Sequence, residues 1–524
     1  MRWDVIGLVI GWTLRIFAVP LTIVGLYSIY ADGLEFAIKT YAITLLVAFA
    51  FSQWLISKVS GSEMTNRVRD REAFAAVALG WPPVVLLGAI PFWLGGMFNG
   101  PFEFFAGDAN LIEMLRGALH SWFESMSGFT TTGATVIDPS SSPNCVENVE
   151  DCIASQPKSL LLWRSLTQWL GGMGVIMLGL VILSRVLGGG ASFARAELTG
   201  PTLSKLGPTL QSTARRLWTI YIFLTILEMG ALYFIGGLGY FDSVNYALTT
   251  LPTGGFGVTD GGVMDITSSS AVLILTIFMI LAGINFSLYH VLAMGNPREA
   301  FKDEELRTYL LIFLLAWLGM AFSIFRSNLD GPSGDEIESL RQSMFQAASI
   351  GTSTGYASAN FAEWPVFSQI VLLLLMIIGA SAGSTGGGVK VLRVRISFEL
   401  ARREITRIIF PRKVVAMRVN GEVIDENRIW IVLGMLSSWV VLATGSMLLL
   451  SMIQPQWEMN DVLSVVISSL GNTGPALGQF GPTSTWASMN DLSLFWTSIL
   501  MWLGRLELLT VLVLLHPRTW SSSN

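Results

Sequence analysis

Charge is scarce in this chain. Only 13% of its 524 residues are Asp, Glu, Lys or Arg, against 52% hydrophobic residues and a mean hydropathy of +0.58. So few polar groups cannot cover a water-facing surface, which excludes an ordinary soluble fold and leaves most of the exterior facing lipid. A net charge of −5 is too small to suggest a nucleic-acid partner. Histidine is nearly absent: His120, His290 and His516 are scattered, with no metal-ligand spacing among them. No Ser/His/Asp or paired-carboxylate arrangement supports an enzyme. Only two cysteines occur, Cys145 and Cys152, in one loop. That loop allows a small disulfide in an oxidising compartment and free thiols in a reducing one.

What the chain does have is long apolar segments. The reading is an all-α integral membrane protein with about ten transmembrane helices, each needing roughly 20 apolar residues. Two spans come first, Val5–Tyr30 and Leu34–Ile56. Arg2 precedes the first, but no small-residue cleavage site follows, so the expectation is an uncleaved helix. Arg15 and Pro20 interrupt it, as a snorkelling or neighbour-facing cation and a tolerated kink. Eight further spans form pairs: Ala73–Gly95 with Leu160–Leu187, Leu217–Leu238 with Ala271–Ala293, Tyr309–Phe325 with Phe367–Leu392, and Ile429–Met452 with Leu492–Leu515.

Within each pair lies a stretch too short to span, at Leu111–Gly128, Asp242–Leu251, Ile337–Ile350 and Asp461–Leu470. Each is read as a re-entrant helix, with Asp242 and Asp461 as N-caps. Each runs into a turn: Thr131-Thr132-Gly133-Ala134, Pro252-Thr253-Gly254-Gly255, Ser353-Thr354-Gly355-Tyr356 and Asn472-Thr473-Gly474-Pro475. The organisation is then an N-terminal helix pair (1–60) and four units (70–190, 212–296, 304–400 and 425–517), with core glycines at intervals of about 100 to 120 residues. Glycine reaches positive φ without steric cost, so successive carbonyls can turn toward one axis. Four such turns can replace the water shell of a potassium ion, and the negative ends of the short helices' dipoles favour a cation there. One Thr-Gly turn is ordinary loop chemistry, but four in the same slot are not.

Loop charges set the orientation. Lys58, Arg67, Arg69, Arg71, Arg185, Arg195, Lys205, Arg215, Arg216, Arg298, Lys302, Arg307 and the run from Arg393 to Arg418 fall in the even-numbered connections. Acids such as Asp108, Glu147, Asp151, Asp260, Asp335 and Glu458 fall in the connections that hold the turns. Basic loops stay cytoplasmic, so all four turns are expected on the outer side, as parallel repeats around an axis along the membrane normal.

Two further features stand out. Gly379-Ala380-Ser381-Ala382-Gly383-Ser384-Thr385-Gly386-Gly387-Gly388 lies inside an expected span. Interior glycines cost a helix about 1 kcal/mol each, so the run breaks it, either as a plug beside a pore or as a packing kink. Gly383 and Gly388 have the spacing of a phosphate-binding loop, but Val389 stands where that motif needs lysine. Arg505 and Glu507 sit inside the last span, where charge is expensive, as a pore-facing pair or a structural one.

The segment Ser125-Met126-Ser127-Gly128-Phe129-Thr130-Thr131-Thr132-Gly133-Ala134-Thr135, with Asn472-Thr473-Gly474-Pro475 and Gly383-Ser384-Thr385-Gly386-Gly387-Gly388-Val389-Lys390, resembles the membrane pore subunit of Trk/Ktr-type potassium uptake systems. The resemblance runs over nearly the whole chain, and the two extra N-terminal helices are those of the Trk branch. It implies a bacterial inner-membrane homodimer that conducts K⁺ inward under a cytosolic nucleotide-binding regulatory subunit. It also implies an intramembrane gate at Gly383, Ser384, Thr385, Gly386, Gly387 and Gly388, and a pore-lining arginine at Arg505. Ala134, Gly255, Tyr356 and Pro475 make the four quarters chemically unequal, and Pro252 departs from the small residue expected at its position. The alternatives are a Na⁺-permeable or ion-coupled symporter on the same fold and, more distantly, a membrane receptor or enzyme using the glycine loop.

Overall fold

The computed structural model describes residues 3–58, 70–145, 149–174, 210–327, 336–412, 415–506, 508, 511, 514 and 516–520. The chain is mostly helical. Two long helices open it: α1 (Trp3–Ala31) and α2 (Leu34–Ser57). Arg15 of α1 donates to Gln53 of α2 and lies over the Trp12 and Phe49 rings, so it faces a neighbour inside the helix pair.

A helix–short helix–turn–helix order then recurs. The first unit has α3 (Asp70–Leu94), α4 (Leu111–Phe129) and α5 (Lys158–Gly172). The second has α6 (Leu210–Phe234), α7 (Tyr240–Thr250) and the pair α8 (Ser269–Ala282) and α9 (Phe286–Ala293). The third has α10 (Glu304–Arg326), α11 (Glu336–Gly351), α12 (Val366–Ile378) and α13 (Val391–Ile409). The fourth has α14 (Glu426–Ile453), α15 (Met459–Gly471) and α16 (Asp491–Arg505). Between α13 and α14 a two-stranded hairpin pairs β1 (Arg418–Val419) with β2 (Glu422–Val423).

Among the described residues six helices are long and apolar enough to cross a bilayer: α1, α2, α3, α6, α10 and α14. The α8–α9 pair, bent by 94°, makes a seventh when counted as one broken span. The second long helix of each unit is therefore not one uninterrupted span. α5, α8, α12 and α16 stop after 15, 14, 13 and 15 residues, at Gly172, before Gly283, before Gly379 and at Arg505.

The polarity of the molecule is inverted relative to a soluble protein. Leu46, Phe49, Phe223, Leu315, Phe322, Val441 and Leu448 are exposed on the long helices, while Ser125, Ser127, Thr249, Gln346, Ser349, Ser468 and Ser469 of the short helices are fully buried. Apolar surface costs nothing against lipid, and some of the buried hydroxyls find partners inside helices: Thr249 and Ser469 each donate to the carbonyl four residues back.

The short helices carry their own start signals. Asn110 caps α4 and forms a reciprocal box with Glu113. Asp461 is not the N-cap of α15 but its third residue; the cap is Glu458, whose N–H donates to the Asp461 carboxylate at 3.0 Å. Asp242 likewise lies within the first turn of α7, after Gly239. In both places the acid sits where the helix dipole favours negative charge.

Candidate functional site

Each short helix ends in a turn with one backbone pattern. Thr131, Thr253, Ser353 and Asn472 have φ of 53°, 58°, 59° and 52°, and two residues later Gly133, Gly255, Gly355 and Gly474 have φ of 85°, 79°, 85° and 100°. Positive φ is uncommon for a residue other than glycine, and the same backbone conformation recurs at all four turns. The residue between the two is held identically: Thr132, Gly254, Thr354 and Thr473 donate to Ser127, Thr249, Ser349 and Ser468 at 2.8, 2.9, 2.8 and 3.0 Å.

These dihedrals correct the register of the second turn. The residue equivalent to Gly133 is Gly255, Gly254 takes the place of Thr132, and Pro252 precedes the turn proper. A Thr-Gly-Gly sequence offers two candidate glycines, and only the backbone distinguishes them.

The four turns meet. A Cβ on Gly133 would strike the carbonyl oxygen of Gly254, one on Gly255 that of Thr354, one on Gly355 that of Thr473, and one on Gly474 that of Thr132. Each glycine abuts the next turn and the fourth returns to the first, so the contacts close a circuit. Gly133, Gly255, Gly355 and Gly474 also line one vestibule of about 260 Å³, together with Asp138 and Asp260.

Behind the circuit the quarters differ. Thr132 pairs with Thr130 at 2.8 Å and Thr354 with Thr352 at 2.7 Å. Gly254 has no side chain, and Gln168 of α5 takes up the space: its amide donates to the Gly254 carbonyl at 2.7 Å and accepts from Phe256 N–H at 3.2 Å. The Tyr356 hydroxyl meets Thr249 at 2.5 Å, joining the third turn to the second short helix. In the sequence Gln168 is marked only as a polar residue inside an apolar helix.

Below the turns, residues 379–390 leave the line of α12 and return to it, since Val389 and Lys390 donate back to Ile377 and Ile378. The loop is anchored on several sides. Ser381 donates to Gly283, and Phe286 donates to Gly383, both at the α8–α9 bend. The Thr385 hydroxyl donates to Leu251 at 2.8 Å, and Gly387 N–H donates to the Ser353 hydroxyl at 2.5 Å. Gly386 lies against the Thr352 carbonyl and Gly387 against that of Gly471, so neither position has space for a Cβ. Lys390 turns back to donate to the Gly386 carbonyl. Ser384 and Gly388 lie within the same loop, Gly388 at φ 78°.

Arg505 joins these parts. Its guanidinium donates to the Thr131 hydroxyl at 3.0 Å, the Thr385 carbonyl at 2.8 Å and the carbonyls of Gly171 and Gly172 at 2.8 Å each. One cation thus ties the first turn, the loop and the end of α5 to the end of α16. Glu507 lies outside the described residues.

On the side of the turns away from the glycine loop, the chain is cross-braced. Arg164 and Glu124 form a buried ion pair at 2.6 Å, with Arg164 also donating to Gly257 and lying over Phe256. The Asp260 carboxylate accepts from Cys152 and Ile153, both at 2.8 Å. Asp151 accepts from Asp260 N–H, and burial raises the pKa of its carboxyl. Cys145 and Cys152 are disulfide-bonded, with Cα atoms 5.1 Å apart. Closing so short a loop contributes about 2 kcal/mol. Cys145→Ser is therefore expected to lower the thermal midpoint of the purified protein; an unchanged midpoint would mean that the Asp260 contacts alone hold the loop.

This fold and site define a multi-pass helical membrane protein whose four glycine turns enclose a common centre. The family model TrkH, a cation transport protein, matches residues 106–522, and the chain belongs to that family of transporters. It is 30% identical to the Trk system potassium uptake protein TrkH of Salmonella typhimurium, over 99% of this chain and 100% of that protein. The TrkH of Escherichia coli K12 is also 30% identical, with the same coverage. The crystal structure of the potassium transporter TrkH from Vibrio parahaemolyticus is similar, with a TM-score of 0.81, 27% identity, and 99% and 100% of the two chains covered.

Proposed function

We propose that this protein takes up potassium across the bacterial inner membrane through a filter built from the four turns. The observation that carries this reading is the closed circuit of contacts from Gly133 through Gly255 and Gly355 to Gly474. Carbonyls gathered around one centre, with the negative ends of four short helices aimed at it, stabilise a dehydrated monovalent cation. The filter comprises Thr131, Thr132 and Gly133; Thr253, Gly254 and Gly255 after Pro252; Ser353, Thr354 and Gly355; and Asn472, Thr473 and Gly474. Family membership and relatives named as potassium uptake proteins support potassium as the ion.

The proposed architecture is about ten membrane crossings. The helix pair at 1–60 adjoins four parallel units at 70–190, 212–296, 304–400 and 425–517, with the turns outward and the basic connections in the cytosol. Residues 383–388 act as the gate beneath the filter, and Arg505 as a positive barrier that keeps ions from settling there. The chain works as a homodimer regulated by a cytosolic nucleotide-binding subunit, as the family resemblance implies.

Rubidium uptake into liposomes holding the purified protein, with and without sodium and proton gradients, tests the reading. Uptake driven by the rubidium gradient alone supports a pore. Uptake only under an imposed gradient favours a coupled symporter, and no uptake in any condition rejects transport of this ion class.

A further inference from the structure

The loop at residues 379–390 has an anchor that leads away from the filter. The Ala382 N–H donates to the Glu305 carboxylate at 2.6 Å, and the Leu392 N–H faces the same carboxylate. Glu305 is 5% exposed and belongs to the first turn of α10. Its neighbour Glu304 grips the chain beyond the loop: Arg395 of α13 donates to Glu304 at 2.7 Å and to Thr308 at 2.8 Å. Adjacent carboxylates on one helical turn therefore hold the middle and the far side of the broken segment. Charge-assisted bonds of this kind are the strong ones, and they fix position as well as contributing energy.

The same turn is clipped to the hairpin. Asp303 caps α10 by accepting from Leu306 at 2.8 Å. Asn420, at the hairpin tip, donates to the other Asp303 oxygen at 2.8 Å and accepts from Glu304 N–H at 2.8 Å. A short path thus runs from the exposed hairpin through the first turn of α10 to the backbone of the loop. The other loop contacts described above end at the turns and the short helices before them, at Arg505, at the α8–α9 bend, at the end of α12 or within the loop itself.

We propose that Glu305 is a positioning residue that mounts the intramembrane loop on α10, and that the β1–β2 hairpin sets that mount from the cytosolic side. The proposal rests on the reading of residues 383–388 as a gate. A displacement of the hairpin would move Asp303 and Glu304 as a unit and carry Glu305 with them. Whatever acts on the cytosolic face then needs no direct contact with the pore.

Rubidium flux through full-length protein in liposomes tests this with five variants. Glu305→Ala is expected to raise flux about tenfold, by removing a charge-assisted bond that holds the loop. Glu305→Gln keeps one acceptor for Ala382 and is expected to stay within about threefold of the parent. Asn420→Ala, on an exposed tip, is expected to raise flux about threefold, and to add nothing in the Glu305→Ala background because both act on one path. Deletion of Gly386–Gly388 is the reference for an open gate.

Unchanged flux in Glu305→Ala beside a leaking deletion would overturn the mount while leaving the gate intact. An equal rise in Glu305→Gln would show that the retained acceptor does not matter and would also overturn it. If Glu305→Ala does not fold, Asn420→Ala decides, and parental flux there rejects the hairpin path. A sealed deletion variant would remove the gate reading, and the mount with it.

Discussion

Replacing Gly133 with alanine is expected to lower potassium-over-sodium discrimination by about tenfold, because the added methyl group must displace an oxygen proposed to face the ion, and each 1.4 kcal/mol lost there is a factor of ten. The cost has two parts at this position. Gly133 has φ of 85°, and its added Cβ would collide with the Gly254 carbonyl oxygen. Relief requires that carbonyl to move, and it is one of the oxygens proposed to face the ion. Gly237 provides the control: its φ is 72°, but nothing lies within 4 Å of an added Cβ. Gly237→Ala carries the same backbone penalty without touching the circuit and is expected to leave discrimination unchanged. Rubidium flux competed by sodium measures both; parental discrimination in Gly133→Ala would remove that turn from the filter.

Arg505→Ala is expected to raise flux by at least about tenfold, since a unit charge 4 Å from an ion is worth about 4 kcal/mol at an effective dielectric of 20. Its hydrogen bonds act in the same direction. Loss of the guanidinium frees the Thr385 carbonyl, so the loop loses an anchor as the pathway loses its positive charge. Arg505→Lys separates the two effects, because lysine retains charge but cannot reach several diverging oxygens with a planar fork. An intermediate flux is expected for it. Slower flux in a folded Arg505→Ala protein would contradict the barrier.

The class of fold was legible because hydropathy and the Thr-Gly recurrence are local properties. Thr131, Ser353 and Asn472 could be placed from sequence, whereas the second turn was misregistered by one residue at Pro252-Thr253-Gly254-Gly255. Adjacent glycines carry the same conformational freedom, so composition cannot say which takes positive φ. Hydropathy also could not detect the breaks in the second helices. Ala282 and Phe286 are both apolar, yet the chain turns by 94° between their helices. What bends it is a tertiary event, in which Gly283 and Phe286 exchange hydrogen bonds with the glycine loop.

The hairpin carries a clear signal in the sequence: Asn420-Gly421 is the dipeptide that two-residue hairpin turns favour. Glu305 had none. Two acids opening a helix read as ordinary dipole complements, and only the packed loop reveals what the second one holds. Arg505 was recognised as costly in a membrane, but its acceptors come from three other parts of the chain.

The closing contact of the circuit joins positions far apart in the polypeptide, and Asn472 donates to Thr132 across 340 residues. A ribosome inserting this protein into the membrane therefore lays down three quarters of the aperture before the element that completes it exists. Prematurely terminated products lack the last side of the opening. If the proposed filter conducts, the order of synthesis itself withholds selective conduction from unfinished chains.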